Sequence, residues 1–386
     1  MTDILKPASQ DELRDAVQAA IAGKTPLELV GTGTKRGWGR SLQTAATLDL
    51  SGFSAVELYE PDELVVTSGP GALRSDVEKL LDEKNQHFAF EPPDFSALFE
   101  SAHAGTLGGM LGCNLAGPRR IKAGAARDHI LGIAGVSGRG EVFKAGGRVV
   151  KNVTGYDVPK LMAGSFGTLA ALTTLTFKVL PRPETEETLV IQGLSDEAAI
   201  RAMSLAMQSS CEVSGAAHLP GQTPKTLLRL DGIPVSIAYR RDKLSGLLKS
   251  HGAIHMLDEA ASRAQWISIR DVLPLAEMRD RNIWRISVTP SQGDAVTARI
   301  ARNAEVSWYY DWAGGLIWLA ALPTSTNAIR AAVSNGHATL IRRVPGASQV
   351  DLFHPQPPAL AALSQRVKNS FDPLGLFNPG RMSQSF

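Results

Sequence analysis

Four stretches of this 386-residue chain carry residue types that could do chemistry. The first is Gly31-Thr32-Gly33-Thr34-Lys35-Arg36-Gly37, directly after a short apolar run. Glycine admits positive φ, and successive N–H groups turned into one concavity bind phosphate oxygens. Thr32 and Thr34 add hydroxyl donors, and Lys35 and Arg36 add charge, so the segment holds what a diphosphate requires. Taken alone, it also reads as an ordinary glycine turn with solvated basic residues. Its spacing is not the nicotinamide pattern G-x-G-x-x-G, because Arg36 stands where the third glycine belongs and Gly37 comes one residue late.

The second stretch runs from Gly105 to Gly117 and is dense in glycine. Thr106 is placed to cap a short helix. Gly108 and Gly109 bare the backbone where a ligand would touch it, while Leu107, Met110 and Leu111 supply an apolar side. A helical glycine costs about 0.5–1 kcal/mol relative to alanine, so packing alone explains the density poorly. The third stretch, Arg119 to Glu141, sets Arg127 and Asp128 before the apolar run Ile130–Val136; a buried Arg–Asp pair is its plainer reading. The fourth is Lys151-Asn152-Val153-Thr154-Gly155-Tyr156-Asp157, followed by Lys160-Leu161 and Gly164-Ser165-Phe166-Gly167-Thr168-Leu169. Polar groups between apolar strands need partners, and a flavin ring with its ribityl chain would supply them; a solvated loop is the alternative.

The elements that must position these stretches alternate between helix and strand. Gln10–Ala22 is an amphipathic helix, with Leu13, Ala16, Val17 and Ala20 at helical spacing. Pro26–Val30 and Leu64–Ser68 read as strands, Leu73–Asn85 as a helix, and Ala170–Leu180 as a strand running into a proline stop. PRPETEET, residues 181–188, reads as a linker or domain boundary. Beyond it the order strand–helix–strand, strand–helix–strand occurs twice, which is a ferredoxin-like order; two such units would form one antiparallel sheet covered by helices. The tail from Phe371 to Met382 is too rich in Gly and Pro for a helix, yet its Phe and Leu residues must pack on something.

Composition narrows the field. The chain is 44% hydrophobic and 20% charged, as in an average soluble protein. Its 40 Lys and Arg nearly cancel its 38 Asp and Glu, so the basic footprint of a nucleic-acid binder is absent. The start lacks a signal-peptide pattern, and the apolar stretch near Leu316–Leu322 falls far short of the ~20 residues of a membrane span. Cys113 and Cys211 are too few for an iron–sulfur cluster or a structural zinc site; both read as small buried hydrophobes of a protein in a reducing cytoplasm.

The four stretches, in this order and approximate spacing, resemble the family with the vanillyl-alcohol-oxidase, or PCMH, type of FAD-binding domain. Pro61–Gly71 (PDELVVTSGPG), Phe90–Asp94 (FEPPD) and the closing FDPLGLFNPGR at Phe371–Arg381 match as well. The resemblance covers roughly residues 1–181 plus the tail. It implies an α+β fold: a two-part FAD-binding domain over 1–181, with subdomains at about 1–58 and 59–181. An α+β cap over 182–350 with a ferredoxin-like antiparallel sheet follows, and a segment over 351–386 returns to the FAD domain.

Within the family, IKAGAARDHILG, GGRVVKNVTGYDVPKLMAGSFGTL and the short length are similar to the FAD-binding subunits of bacterial glycolate oxidases. Carried over by position, the resemblance places the diphosphate on Gly31, Thr32, Gly33, Thr34, Lys35, Arg36 and Gly37. Asp94, Gly105, Thr106, Leu107, Gly108 and Gly109 would line the adenosine-phosphate and ribityl side. Asn114, Gly117, Arg127 and Asp128 would approach the flavin ring, and Val136 would offer backbone contacts. Lys151, Asn152, Tyr156 and Asp157 would close the site, with Asn378 arriving from the tail.

The resemblance further implies oxidation of glycolate or another D-2-hydroxy acid inside a complex. The partners would be a larger FAD-containing catalytic subunit and an iron–sulfur subunit, in the cytoplasm or at the membrane through those subunits. A free-standing oxidase and a flavin-binding scaffold without turnover are the alternatives. No His lies in Gly31–Arg40, so the FAD is expected to be non-covalent. The scattered histidines give no metal site, and no catalytic base stands out.

Overall fold

The computed structural model describes residues 3–149, 155–347 and 350–383. The first helix, Gln10–Gly23, starts where the Ser9 side chain accepts the Glu12 N–H, and it buries Leu13, Val17 and Ala20. It ends at Lys24, whose left-handed backbone (φ 49°) returns its N–H to Ala20 and Ile21. This helix shares a small core with a three-stranded parallel sheet ordered Asp3–Leu5, Ala46–Asp49, Leu27–Val30. A five-stranded antiparallel sheet follows, ordered Val56–Glu60, Val65–Ser68, Ala170–Lys178, Ile130–Ser137, Val142–Gly146.

The third layer is an eight-stranded sheet made of two β-α-β-β-α-β units. The first unit contributes Thr185–Gln192, Gly215–Leu219, Lys225–Gly232 and Ile254–Leu257; the second contributes Asn282–Val288, Val306–Asp311, Leu316–Ala321 and Gly336–Arg342. Each unit places its first strand between its third and fourth, and the two join edge to edge through the second strands, where His218 opposes Tyr310. The doubled ferredoxin-like order expected from the sequence is therefore present. The strand Leu316–Ala321 is buried at every position, as suits a strand covered on both faces.

Two local readings change. Residues 181–188 are not a free linker: Leu180–Pro181 pairs with Gln86–His87, and Thr185–Gln192 is a full strand. Thr and Glu at its start remain partly accessible, while Leu189, Val190 and Ile191 carry it into the core. A helix at Pro358–Phe371, with proline in its first turn, precedes the tail and was not anticipated. The tail itself is not helical. The buried Asp372 carboxylate accepts the N–H groups of Leu376 and Phe377 and pairs with the buried Lys368 at 2.6 Å. The Leu27 N–H donates to the Leu376 carbonyl and the Leu27 carbonyl accepts the Asn378 N–H, so the tail extends the edge of Leu27–Val30.

A buried charge network holds the eight-stranded sheet against the rest. Glu91, itself left-handed at φ 47°, accepts both terminal nitrogens of Arg229 at 2.9 and 2.8 Å. Arg119 pairs with Glu91 and with Asp231, and Arg229 stacks on Trp266 at 4.8 Å. Asp311 lies close by, buried, accepting the Trp312 N–H at 2.7 Å. Burial pushes its carboxyl up to about 7, opposed by the Trp312 N–H and Arg229. A raised carboxyl contributes stability that is complete below the unfolded value near 4 and is lost as pH rises through the folded one. Asp311→Asn keeps an acceptor for the Trp312 N–H without the charge. Its melting temperature should therefore gain on wild type between pH 4 and 7 and hold a constant margin above that. A margin unchanged across this range would show that Asp311 ionises freely.

Candidate cofactor cleft

Glycine and threonine side by side make the floor of a cleft of about 970 Å³. The strand Leu27–Val30 delivers the chain into the turn Gly31–Arg36. A Cβ on Gly31 would stand 2.6 Å from Thr106 Oγ1, so only glycine lets the two segments close. Thr106 in turn caps Leu107–Gly112 by accepting the Gly109 N–H at 3.2 Å. Gly105, at φ 96°, leaves space that a Cβ would fill within 2.6 Å of Thr34 Oγ1 and 2.9 Å of Lys35 Nζ. The Lys35 ammonium donates to the Ala104 carbonyl at 2.7 Å. Burial lowers its pKa, with Cys113 and Asp94 opposing and Arg74 assisting.

Of the residues expected from the sequence, Gly31, Thr32, Gly33, Thr34, Lys35, Arg36, Thr106, Gly108, Gly109 and Asn378 line this cleft. Asn378 does so as a brace: its Oδ1 accepts the Leu29 N–H at 2.9 Å and its Nδ2 donates to the Phe166 carbonyl at 2.7 Å. Several walls were not singled out. Trp38, Cys113, Met162, Ser165, Phe166, Gly167, Ala170, Leu172 and Arg381 all face the cleft. Ser165, Phe166, Gly167 and Arg381 sat inside stretches already marked, so their signal was available; the apolar walls gave none. Cys113 is half-buried rather than a core hydrophobe, its thiol pushed up to about 11 by burial against the pull of Lys35 and Arg381. Cys211 is fully buried.

The other expected residues stand elsewhere. Gly37 lines a separate small cavity beside Leu340 and Leu352. Gly105 supports the cleft floor from behind, accepting the Arg74 N–H. Leu107 and Val136 are core residues. Asp94 caps a turn by accepting the Ser96 N–H, and its own N–H donates to Asp271. Asn114 accepts the Arg127 N–H while the Arg127 and Asp128 side chains are exposed; Asp128 caps its own turn at Ala125. Gly117 fits against the Glu91 carbonyl, where a Cβ would come within 2.2 Å. Tyr156 is 94% exposed, and Asp157 caps Val158–Met162 and pairs with Lys160. Lys151 and Asn152 lie outside the described residues. Many of these side chains serve their own turns, a use that residue type alone does not separate from ligand binding.

The cleft suits FAD on its own chemistry. Its floor is a glycine cradle beside a half-buried ammonium, matched to a diphosphate. Its far wall is apolar and aromatic: Trp38 packs edge-on to Phe166 at 5.3 Å and to Phe95 at 6.0 Å. The Trp38 Nε1–H is buried and has no partner among the described residues. Such a donor is costly to leave unmet, and a carbonyl or hydroxyl of a bound ligand would satisfy it. Among the described residues, no group of three or more His, Cys, Asp or Glu is placed to hold a metal ion, and no helix is long and apolar enough to cross a membrane.

Comparison with known proteins agrees with this chemistry. Residues 3–146 match the family model of an FAD binding domain. The glycolate oxidase subunit GlcE of Escherichia coli is 33% identical over 96% of this chain and 96% of its own length. The glycolate oxidase subunit GlcD of Bacillus subtilis is 27% identical over 78% of this chain and 58% of its own length. An alkyldihydroxyacetonephosphate synthase structure shares the fold, with a TM-score of 0.72 at 14% identity over 97% of this chain and 75% of that one. With its glycine cradle, its FAD-binding family match and its full-length relative, the chain belongs to the GlcE family of FAD-binding glycolate oxidase subunits.

Proposed function

We propose that this chain is the FAD-carrying subunit of a complex that oxidises glycolate to glyoxylate, with electrons leaving through an iron–sulfur partner toward quinone. The joint observation supports it: a glycine-floored cleft in a chain aligned over 96% of its length with a glycolate oxidase subunit. Bound FAD would accept a hydride from the α-carbon of the hydroxy acid. The Gly31–Lys35 turn would hold its diphosphate with backbone N–H groups, Gly108 and Gly109 would let it approach the second segment closely, and Lys35 would balance the charge. Trp38, Phe166 and Met162 would exclude water from one wall. Asn378 and Arg381 hold the tail across the opening, Arg381 by donating to the Arg36 carbonyl at 3.0 Å. The absence of His from Gly31–Arg40 supports non-covalent attachment. Within the complex, its partners would be a larger FAD-containing subunit and an iron–sulfur subunit.

Mixing the FAD-loaded chain anaerobically with glycolate tests the reading. Bleaching of the visible flavin bands by the chain alone is the expected result if its own flavin meets substrate. Bleaching only after the partner subunits are added would assign this chain to electron relay. No bleaching in the assembled complex would overturn the reading.

A further inference from the structure

A second polar site lies where the eight-stranded sheet meets the rest of the molecule, away from the glycine cradle. Trp312 ends the strand Val306–Asp311 in left-handed backbone (φ 51°), and Ala313 and Gly314 continue it at φ 55° and 98°. Two consecutive non-glycine residues in that region are held at a cost, and such strain gathers at functional sites. Here it sets the indole in one place, with Nε1 donating to the Gly117 carbonyl at 3.0 Å across the boundary.

Two guanidiniums converge on that indole. Arg120, from one side of the boundary, and Arg285, from the strand Asn282–Val288, each lie 5.0 Å from the ring centroid. Neither makes an ion pair or a hydrogen bond to the protein among the described residues. This sets them apart from Arg119 and Arg229 nearby, which are ion-paired with Glu91 and Asp231. The register puts Arg285 opposite Trp318 and Thr339, and puts Ser287 in the next row opposite His337 and Leu316, all on one face. That face looks toward the other layers, since Trp318 packs on Phe95 at 5.9 Å and Phe95 packs on the cleft residue Trp38.

The surrounding groups leave positive charge in excess. Burial and then Arg120 push the Arg285 guanidinium down to about 10, against Asp311. Burial, Arg285, His354 and Arg120 lower His337. Burial and Arg127 lower Arg120, with Asp128 opposing. The local carboxylates are already engaged: Asp311 by the Trp312 N–H, Asp128 by its own turn, Glu91 by Arg229. Two half-buried cations sharing one aromatic ring, neither held in an ion pair among the described residues, form a site that an incoming anion completes. Planar guanidinium suits a carboxylate best, because it can donate two parallel N–H bonds.

We propose that Arg120 and Arg285, gathered on Trp312, receive the carboxylate of a small 2-hydroxy acid, so that this chain holds a substrate site of its own. The inference rests on the hydroxy-acid reading above and deepens it. The site is closed only when the two sides of the boundary meet, because each side contributes one arginine.

Oxalate serves as the probe, because it carries carboxylates but no hydride to give. Titrating it calorimetrically into the FAD-loaded chain should show saturable binding that chloride weakens. Arg285→Met and Arg120→Met should each weaken it about tenfold or more, the double variant should abolish it, and Arg285→Lys should recover part. Glycolamide, which lacks the charge, should not compete. Melting temperatures and FAD content near wild type would confirm that the variants are folded. Equal oxalate affinity in wild type and in the folded double variant would overturn the proposal, as would absence of oxalate binding to wild type. The two readings separate cleanly. Arginine-dependent oxalate binding without bleaching by glycolate keeps this site and removes turnover; bleaching with a KM unchanged in the variants does the reverse.

Discussion

Gly31→Val is expected to give a folded protein that is purified without colour and binds added FAD about 100-fold more weakly or worse. Even the first carbon of the new side chain would enter Thr106, within 2.6 Å of Oγ1 and 2.9 Å of Cγ2. Thr106 cannot step aside cheaply, because it is buried and its hydroxyl caps Leu107–Gly112. The Gly31–Arg36 turn must therefore move off the second glycine segment, and the diphosphate loses the donors of that turn. Charge-assisted hydrogen bonds are worth roughly 1.5–3 kcal/mol each, so losing two suffices for the stated factor. The check is the flavin absorption of the purified variant, FAD titration by fluorescence quenching, and far-UV circular dichroism against wild-type apoprotein. Full FAD occupancy with normal affinity would mean that the cradle is not the diphosphate site.

The second large effect concerns stability. Glu91→Ala should cost about 3–5 kcal/mol, because it leaves the buried Arg229 and Arg119 without their shared counterion. Denaturant unfolding of the apoprotein measures it directly. Glu91→Gln keeps the shape and two polar atoms and should lose less. Burial works against ionising Glu91, but Arg229 and Arg119 outweigh it and hold the carboxylate below its ordinary range. The stability this confers is complete above the unfolded value near 4.5 and is lost as pH falls through the folded one. Wild type and Glu91→Gln should therefore converge on acidification. A difference that persists unchanged to pH 3 would place the effect in packing rather than charge.

How legible these features were depended on how local their cause is. Gly31–Arg36 and Thr106–Gly109 could be read because the need for bare, turning backbone is written in the residue types themselves. The doubled sheet could be read because strand and helix periods alternate in a recognisable order. Trp38, Met162 and Leu172 could not, since an apolar cleft wall and an apolar core have the same composition. Gly117, Asp94 and Asp128 were assigned to ligand because glycine and aspartate serve equally for tight packing and turn capping; only the Glu91 carbonyl, the Ser96 N–H and the Ala125 N–H decide between the uses. Residues 181–188 misled because Pro and Glu signal a linker, whereas the strand is held by pairing with Lys225–Gly232 on one side and, from Thr188 onward, Ile254–Leu257 on the other, partners supplied from farther along the chain.

The brace made by Asn378 has a bearing on how the molecule is made. The Phe166 carbonyl that it grips lies 212 residues earlier in the chain, and both ferredoxin-like units are encoded in between. A ribosome that has delivered both glycine segments has still to produce the whole eight-stranded sheet before the last wall arrives. The vitamin-derived cofactor therefore meets a finished pocket only late in synthesis, and nascent chains stalled before Asn378 should carry none of it.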